Sequence, residues 1–586
     1  MLYYNNYDVN KGEDNLKKLL AYLKSYTKES ILGPLFKCFE AVLELFVPLV
    51  IAAVIDNGVA LGDKGYIAKM CLLLVVIGIV GLAFSITAQY FSAKAAVGFA
   101  RDVKHDLFKH IQSLSYSEID TLGTSTLITR MTSDMNQVQS GINLTLRLLL
   151  RSPFVVFGAM IMAFTLDFDS ALIFAAAIPA LSVVVFGIML WCIPLYKKVQ
   201  QRLDKVVSIT RENLTGIRVI RAFCKENEEI AEFESRNEEL TKIQKFVGRI
   251  SALMNPLTYI IINLAIIWLV YTGAVRVETG ILTQGTVVAL YNLMSQILVE
   301  LIKLANLIIN ITKSVACGNR IQSVFEIKSS LENGNSENGS GEYAVEFRHA
   351  SLKYANAGAN ALTDMNFTVK KGETVGIIGG TGSGKSSLVN MIPRFYDAAE
   401  GEVLVNGVNV KDFTIDDLRD KIGIVPQKAV LFKGTIRENM QWGKTDATDI
   451  EIFSALETAQ AKAVADSKGG LDFMIEQGGK NLSGGQRQRF TIARALVKKP
   501  EILILDDSAS ALDFATDAAL RKALRSMDYS PAVFIVSQRT SSIRHADKII
   551  VLDDGEIVGI GTHDELLESC DIYKEIHSSQ FKKEAV

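Results

Sequence analysis

A loop suited to phosphate binding lies between Gly379 and Ser387, where the chain has the sequence GGTGSGKSS. It matches the pattern G-x-x-x-x-G-K-[ST]. Glycines let the backbone turn tightly with its N–H groups pointing at an anion, the lysine reaches the terminal phosphates, and the serine hydroxyl can ligate Mg²⁺. The residues predicted to bind a nucleotide are Gly379, Gly380, Thr381, Gly382, Ser383, Gly384, Lys385, Ser386 and Ser387.

The elements around this phosphate loop (Gly379–Ser387) have the order that the chemistry needs. Glu373–Ile378 is a short β-branched run typical of a buried strand, and a helical pattern begins at Ser386. A helix N-terminus adds partial positive charge where the phosphates would lie. The alternative is a glycine-rich turn that binds nothing.

Two further segments carry chemistry that supports a nucleotide site. Ile502–Asp507 (ILILDD) is an apolar strand that ends in two carboxylates, of which Asp506 can hold Mg²⁺ through water and Asp507 can polarise an attacking water. The sequence LSGGQ at Leu482–Gln486 offers a hydroxyl and backbone N–H donors at a helix start. Each signal alone is weak, because charged turns and helix caps are common.

Composition separates the chain into an apolar and a water-soluble part. The 586 residues are too many for one core, 49% of them are hydrophobic, and the apolar residues crowd into the first half. The 62 Lys and Arg against 64 Asp and Glu argue against a nucleic-acid binder. Six cysteines lie far apart without a C-x-x-C pair, so neither a zinc site nor a disulfide framework is indicated.

Six apolar segments are each long enough for a helix to cross about 30 Å of hydrocarbon. They are approximately Ile31–Ile55, Ile67–Tyr90, Leu144–Leu166, Ala171–Ile193, Leu257–Val275 and Gly285–Ile311. The long connections after the second and fourth segments are rich in Lys and Arg, which predicts that they are cytoplasmic. Both are helix-patterned, so the spanning helices are expected to continue beyond the bilayer.

Three carboxylates lie inside these apolar segments: Glu40, Glu44 and Glu300. An unpaired charge there costs several kcal/mol, so we expect them to face the bundle interior or water. Pairing between helices, or a position near the membrane interface, is favoured over a role in binding a cationic substrate.

The domain boundaries follow from changes in composition. Asn15–Tyr26 has leucines and lysines at helical spacing, typical of a helix along a membrane surface, and Ser329–Glu342 is rich in Ser, Asn, Gly and Glu, typical of a flexible linker. Short β runs interleaved with helices follow the linker, which predicts an α/β nucleotide-binding domain. The predicted strands are Ala344–Phe347, Thr374–Ile378, Glu402–Val405, Ile422–Val425, Ile502–Leu505, Val533–Val536 and Ile549–Leu552. The predicted parts are a surface helix in 1–28, a six-helix transmembrane domain in 29–326, a linker in 327–342 and a nucleotide-binding domain in 343–586.

In this order and spacing the motifs resemble the ATP-binding cassette (ABC) transporter family over essentially the whole chain. The likeness is to an exporter-type half-transporter, an all-α membrane domain followed by an α/β cassette, in which two chains form the working unit. It implies that Tyr354 stacks on adenine and that Gln427 contacts Mg²⁺ together with Ser386 and Asp506. It further implies that Ser510–Asp513 (SALD) is the D-loop. It also implies that the signature residues complete the partner chain's ATP site: Leu482, Ser483, Gly484, Gly485 and Gln486.

The same likeness places coupling helices, which touch the cassettes, in Ser115–Gly123 and Glu212–Phe223.

Two positions depart from the family pattern. Asp507 stands where a catalytic glutamate is expected, and Gln538 stands where a switch histidine is expected. Aspartate is one methylene shorter than glutamate, and a misplacement of about 1 Å can cost about 100-fold in rate. Gln538 can still donate a hydrogen bond to a γ-phosphate, but its side-chain amide cannot take up a proton or carry a positive charge at neutral pH. The combination resembles the degenerate-site subunit of a heterodimeric exporter; a slow homodimer is the alternative.

The sequence therefore predicts a plasma-membrane, multi-pass subunit of an ATP- and Mg²⁺-dependent exporter of amphipathic drugs or lipids, with a cytoplasmic cassette. Its expected partners are a second half-transporter chain, membrane lipid and a hydrophobic or amphipathic substrate, without nucleic acid. An exporter of peptides or lipid-linked molecules is the rival within transport. A membrane-anchored ATPase that transports nothing is disfavoured because one or two helices would suffice as an anchor.

Overall fold

The computed structural model describes residues 18–336, 339–355 and 357–581. Residues 1–17 of the predicted surface-helix segment 1–28 lie outside the described residues; from Lys18 the chain is helical, with a 3₁₀ segment at Ala21–Tyr26. The chain divides into two compact units. The first comprises the described residues up to Gln112 together with Ser125–Ile327, and the second comprises Ser113–Thr124 together with the described residues from Lys328 onward.

The described residues of the first unit form helices joined by short turns, without a strand. Its helices are α1 (Thr27–Ala53), α2 (Lys64–Ser113), α4 (Thr124–Thr129), α5 (Met135–Leu148), α6 (Arg151–Leu166), α7 (Phe168–Ala222), α8 (Glu226–Ala252), α9 (Met254–Glu278) and α10 (Gln284–Phe325). Short π-helical segments follow α1 at Val54–Val59 and α4 at Arg130–Asp134.

Six helical stretches among the described residues are long and apolar enough to cross a membrane. They are Lys18–Val59, Lys64–Ser113, Thr124–Leu166, Phe168–Ala222, Glu226–Glu278 and Gln284–Phe325. Every predicted apolar segment lies inside one of them. The 50 residues of α2 and the 55 residues of α7 correspond to about 75 and 80 Å of helix, more than twice the hydrocarbon thickness. The predicted extensions beyond the bilayer are confirmed.

Small side chains let the helices of the first unit approach closely. Ala159 and Ala163 of α6 are fully buried in one cluster with Ala171 of α7 and with Leu290 and Met294 of α10. Helices in a membrane associate through such close packing because lipid tails provide no hydrophobic driving force between them.

The second unit is built on three sheets. A six-stranded sheet has the order β12-β11-β3-β10-β9-β6, parallel except between β11 and β12. An antiparallel sheet has the order β2-β1-β4-β5, and β7 pairs with β8. The strands are β1 (Tyr343–Leu352), β2 (Leu362–Lys370), β3 (Thr374–Gly379), β4 (Glu400–Val405), β5 (Val408–Asn409), β6 (Ile422–Val425), β7 (Gly434–Thr435), β8 (Met474–Ile475), β9 (Ile502–Asp506), β10 (Ala532–Val536), β11 (Lys548–Asp553) and β12 (Glu556–Gly561).

The described residues of the second unit also form helices. They are α3 (Tyr116–Leu122), α11 (Lys385–Met391), α12 (Ile415–Asp420), α13 (Ile436–Gln441), α14 (Asp449–Thr458), α15 (Lys462–Ser467), α16 (Gly484–Val497), α17 (Phe514–Arg525), α18 (Thr540–Ile543), α19 (His563–Ser569) and α20 (Asp571–Phe581). The central strands β9 and β10 are buried along their whole length, which explains their continuous apolar sequence. Functional side chains are expected beyond the carboxyl ends of such strands.

The predicted linker differs from the expected flexible segment. Gly334 donates to the carbonyl of Phe413 at 3.0 Å, Ser336 donates to the carbonyl of Asp412 at 2.8 Å, and Gly341 donates to the carbonyl of Asn406 at 2.6 Å. These backbone bonds do not depend on apolar side chains, so a polar composition did not reveal them. The linker residues on both sides of 337–338 therefore belong to the second unit.

Candidate functional site: a nucleotide cleft

The phosphate loop connects β3 to α11 at the carboxyl edge of the parallel sheet. Gly382 and Gly384 have φ angles of +87° and +92°, which L-residues with side chains rarely adopt. A Cβ at Gly379 would overlap the carbonyl oxygen of Leu552 on β11. These positions therefore require glycine, and the loop can wrap its backbone closely round an anion.

Lys385, the first residue of α11, lies with its ammonium against the loop. Its Nζ donates to the carbonyl of Gly379 at 3.0 Å and to the carbonyl of Gly380 at 2.5 Å. Burial lowers the pKa of Lys385, and the charges of Asp507 and Asp506 oppose that shift. A phosphate would offer this ammonium a charged acceptor in place of two neutral carbonyls, which makes a stronger hydrogen bond.

The residues predicted to hold Mg²⁺ meet at the end of β9. The Ser386 hydroxyl donates to Oδ1 of Asp506 at 3.0 Å. Burial raises the pKa of Asp506; the Ser386 hydrogen bond opposes that shift, and the neighbouring charge of Asp507 adds to it. No group of three acidic, histidine or cysteine side chains suitable for a metal occurs in the described part of the chain. A hydroxyl and one carboxylate fit Mg²⁺, which in proteins keeps several waters and takes substrate phosphates as ligands.

Asp507 and Gln427 lie on the same cleft. Gln427 Nε2 is 3.4 Å from Oδ2 of Asp507, a long contact for a hydrogen bond. Asp507 has a φ of +46°, so its backbone is left-handed at the point where the strand turns. The cleft measures about 240 Å³ and is lined by Thr381, Gly382, Gly384, Lys385, Ser386, Ser387, Gln427, Asp506, Asp507, Val536, Ser537 and Gln538.

Tyr354 contacts the phosphate loop from the side. Its hydroxyl is 2.8 Å from the Ser387 hydroxyl, and its ring is edge-on to that of Tyr396 at 5.0 Å. It lines a second cavity of about 240 Å³ with Ser117, Asp120, Thr121, Ala355 and Tyr396. Tyr354 therefore lies next to the phosphate cleft but does not line it.

The signature segment (Leu482–Gln486) lies elsewhere in the second unit. Ser483 is the N-cap of α16: its hydroxyl accepts from the Gln486 N–H at 3.3 Å, and the Gln486 side chain accepts from the Ser483 N–H at 3.0 Å. A Cβ at Gly485 would lie 3.0 Å from the carbonyl oxygen of Ala511, so glycine allows close packing against the predicted D-loop. Although all five signature residues are described, none lines the nucleotide cleft.

Asp513 ends the predicted D-loop as the N-cap of α17. Its Oδ1 accepts from the Thr516 N–H at 2.8 Å. Like the signature segment, Asp513 does not line the cleft.

Comparison with known proteins decides the family. Residues 30–301 match the ABC transporter transmembrane region, and residues 362–510 match the ABC transporter ATP-binding family. An uncharacterized ABC transporter ATP-binding protein of Bacillus subtilis, YfiB, is 35% identical over 572 residues, 97% of this chain and 99% of the relative. The chain belongs to the ABC transporter family.

Two other ABC transporters resemble this chain over nearly its full length. An ATP-dependent lipid A-core flippase of Hahella chejuensis is 30% identical over 595 residues, 97% of each chain. The solved structure of a bacterial Atm1-family ABC exporter with ATP bound has the same fold, with a TM-score of 0.78 at 22% identity, and covers 97% of this chain and 100% of that one.

These findings confirm the predicted fold and place the protein in a membrane. The ABC transporter is an exporter-type half-transporter: a multi-pass, six-helix membrane domain followed by a cytoplasmic α/β nucleotide-binding domain. The presence of the cassette makes it an ATP-hydrolysing transporter and implies ATP as its nucleotide.

Sequence reasoning missed part of the site. Ser537 lines the cleft, and its hydroxyl accepts from the Arg539 N–H at 2.9 Å. Its position at the carboxyl end of β10, next to Gln538, is the sequence signal that could have identified it. Asp120, whose Oδ2 accepts from the Tyr396 hydroxyl at 2.6 Å, carries no local signal because its partner lies far along the chain.

Proposed function

We propose that this chain is one subunit of a heterodimeric exporter that moves amphipathic drugs or lipids out of the cytoplasm or the inner leaflet. The paired cassettes would close when they bind ATP and reopen afterwards. This motion would drive the membrane domains between inward-open and outward-open states. The relatives named as lipid A-core flippases favour a lipid or another amphipathic substrate. The proposed domains are those predicted from composition, with Ser113–Thr124 assigned to the cassette unit.

Each residue of the nucleotide cleft has a proposed role. Gly379–Ser387 surrounds the phosphates, and Lys385 binds the terminal ones. Tyr354 stacks on adenine, which requires its hydroxyl to break the hydrogen bond with the Ser387 hydroxyl. Ser386, Asp506 and Gln427 would hold Mg²⁺, which when bound neutralises charge on the phosphates. Asp507 orients the attacking water, and Gln538 donates to the γ-phosphate.

The observation that carries the dimer is the position of the signature segment. Its exposed Ser483 and its glycines do not line this chain's own cleft, so they are free to complete a cleft on another chain. The observation that favours unequal sites is the pair of departures, Asp507 and Gln538, on an otherwise complete cleft. We infer that this chain's own site binds ATP and hydrolyses it poorly.

A slow homodimer is the second candidate, because one observation favours it. Asp507 lines the cleft with Gln427 close by, so a carboxylate base is in place despite its short side chain. In a homodimer both sites would use that base.

Two substitutions in the assembled complex separate the candidates. Ser483→Arg places a long cation where the partner's γ-phosphate should dock, and we expect it to abolish most ATP hydrolysis. Asp507→Asn should reduce hydrolysis only modestly, because this chain's own site contributes little turnover. The measurement is steady-state ATPase activity of each purified complex beside wild type. Equal damage from both substitutions would mean that this chain's own site is a main catalyst.

A further inference from the structure

The side chain of Gln580, near the end of α20, makes three hydrogen bonds to the switch segment (Ser537–Thr540). Its Oε1 accepts from the Thr540 N–H and from the Thr540 hydroxyl, both at 2.9 Å. Its Nε2 donates to the carbonyl oxygen of Gln538 at 2.7 Å. One amide thus joins the C-terminal helix to two residues that lie 40 and 42 positions earlier in the chain.

These bonds fix the start of the short helix that follows β10. The switch segment connects β10 to the four-residue helix α18, which begins at Thr540. Arg539, the N-cap of α18, makes no capping hydrogen bond with its side chain, so Gln580 satisfies the first N–H of the helix instead. Thr540 is 1% exposed, and without Gln580 its N–H and hydroxyl would lose this acceptor.

The other end of the switch segment is already fixed. The Ser537 N–H donates to the carbonyl of Ile377 on β3 at 3.0 Å, and the Ser537 hydroxyl accepts from the Arg539 N–H at 2.9 Å. Gln538 therefore lies between a residue tied to β3 and a residue tied to α20. Gln580 holds the backbone carbonyl of Gln538, and Gln538 lines the nucleotide cleft.

α20 is itself anchored by a buried contact. The Tyr573 hydroxyl is 2.7 Å from Nδ1 of His563, the first residue of α19, and Tyr573 is fully buried. Gln580 therefore projects from a helix held against the body of the second unit.

We propose that Gln580 is a positioning residue that sets the Gln538 side chain at the distance from the phosphate loop needed to recognise a terminal phosphate. The proposal rests on the proposed function, because it takes Gln538 as the γ-phosphate donor. It makes the C-terminal helix part of the machinery that distinguishes ATP from ADP.

Two substitutions at Gln580 separate positioning from helix capping. Gln580→Glu keeps an acceptor for the Thr540 N–H and hydroxyl but cannot donate to the Gln538 carbonyl. Gln580→Ala removes all three bonds. Ser579→Ala is the matched control on the same turn, since among the described residues the Ser579 hydroxyl donates to the Ile576 carbonyl within α20 and does not contact the switch segment.

The first measurement is the ratio of ATP to ADP affinity of the purified full-length chain in lipid nanodiscs with Mg²⁺. We expect Gln538→Ala to lower this ratio by about tenfold, the value of one hydrogen bond to a charged group. Gln580→Ala and Gln580→Glu should lower it to a similar degree, and Ser579→Ala should not change it. The melting temperature should fall for Gln580→Ala and stay near wild type for Gln580→Glu.

A wild-type ratio in Gln580→Glu would overturn the proposal and leave Gln580 as a helix cap. The second measurement is hydrogen exchange of the amides of 537–541 in Gln580→Ala. Faster exchange shows that Gln580 holds the segment, and unchanged exchange overturns the proposal. If Gln538→Ala leaves the ratio unchanged while exchange quickens, the γ-phosphate role of Gln538 fails but its positioning by Gln580 stands.

Discussion

Asp507, which stands where the family has a glutamate, differs from it in backbone preference as well as in length. Its φ of +46° is a left-handed conformation, which aspartate and asparagine tolerate better than longer side chains do. The shorter carboxylate is thus suited to the local backbone and, by our proposal, unsuited to the chemistry. Stability and turnover should respond in opposite directions when the side chain is lengthened.

Asp507→Glu tests this opposition. We expect ATP turnover at this chain's own site, measured in the assembled complex with the partner's site blocked by Ser483→Arg, to rise about tenfold or more, because the carboxylate moves about 1 Å toward the attacking water. We expect the free energy of unfolding to fall by up to about 1 kcal/mol, because glutamate is less tolerant of the left-handed backbone. Steady-state ATPase assays and thermal unfolding measure the two effects.

Asp506→Glu is the matched control at the adjacent position. It lengthens a carboxylate that contacts Ser386, so turnover should not rise. Unchanged turnover in Asp507→Glu would show that side-chain length does not limit hydrolysis at this site.

At the scale of elements, a buried charge cluster joins three helices of the membrane domain. Arg151 on α6 pairs with Glu300 on α10 at 2.6 Å and with Glu44 on α1, and Lys303 pairs with Glu300 at 2.8 Å. Arg151 is 6% exposed and Glu300 is 3% exposed. Pairing between helices is confirmed for Glu44 and Glu300, although the sequence did not identify Arg151 as the partner. For Glu40 the prediction of pairing between helices was wrong, because it pairs with Lys37 on its own helix α1 at 2.5 Å.

Arg151→Met should destabilise the membrane domain strongly. It leaves Glu44 without this partner and Glu300 with the half-exposed Lys303 and the Ser152 hydroxyl, and breaking a buried pair from one side costs about 3–5 kcal/mol. Thermal unfolding in detergent measures the loss. Lys303→Met, which removes the more exposed cation, is the control and should cost about 0–1 kcal/mol. Equal losses in the two variants would contradict a central role for Arg151.

The elements that sequence patterns predicted differ in burial and residue pattern from those that they missed. Continuous apolar runs located the buried strands β3, β9 and β10, and apolar stretches located all six spanning helices. Leu362–Lys370 and Glu556–Gly561 were not predicted as strands, because alternation with polar residues weakens the signal. The pairing order β3-β10-β9, which brings Gly379, Gln538 and Asp507 together, is set by contacts far apart in sequence.

The likeness to the family supplied the roles of Tyr354 and Gln427, and no local pattern pointed to Gln580. Its three bonds depend on the packing of the last helix against the switch segment. Interactions between distant segments are the part of the site that composition and spacing do not contain.

At the scale of the whole molecule, head-to-tail pairing of cassettes can be tested by cross-linking. With the six native cysteines replaced, Thr381→Cys on the phosphate loop and Ser483→Cys on the signature segment would meet only across two chains. We expect the chain purified alone to give no ATP-dependent cross-link, because its proposed partner is a different chain.

A homodimeric relative carrying the same cysteine pair is the positive control. Efficient ATP-dependent cross-linking of the purified chain to itself would establish a homodimer and contradict the heterodimer proposal.

The compact unit that contains the cassette also includes Ser113–Thr124, a segment from the membrane half of the sequence. There the Tyr116 ring lies 4.4 Å from that of Phe395, and the Tyr396 hydroxyl donates to Asp120. A hybrid gene spliced at the linker would give the cassette of one transporter a foreign version of this segment. Recombination between relatives should therefore be tolerated only where the residues facing Phe395 and Tyr396 are inherited together with the cassette, so the two halves of this protein do not evolve as freely exchangeable modules.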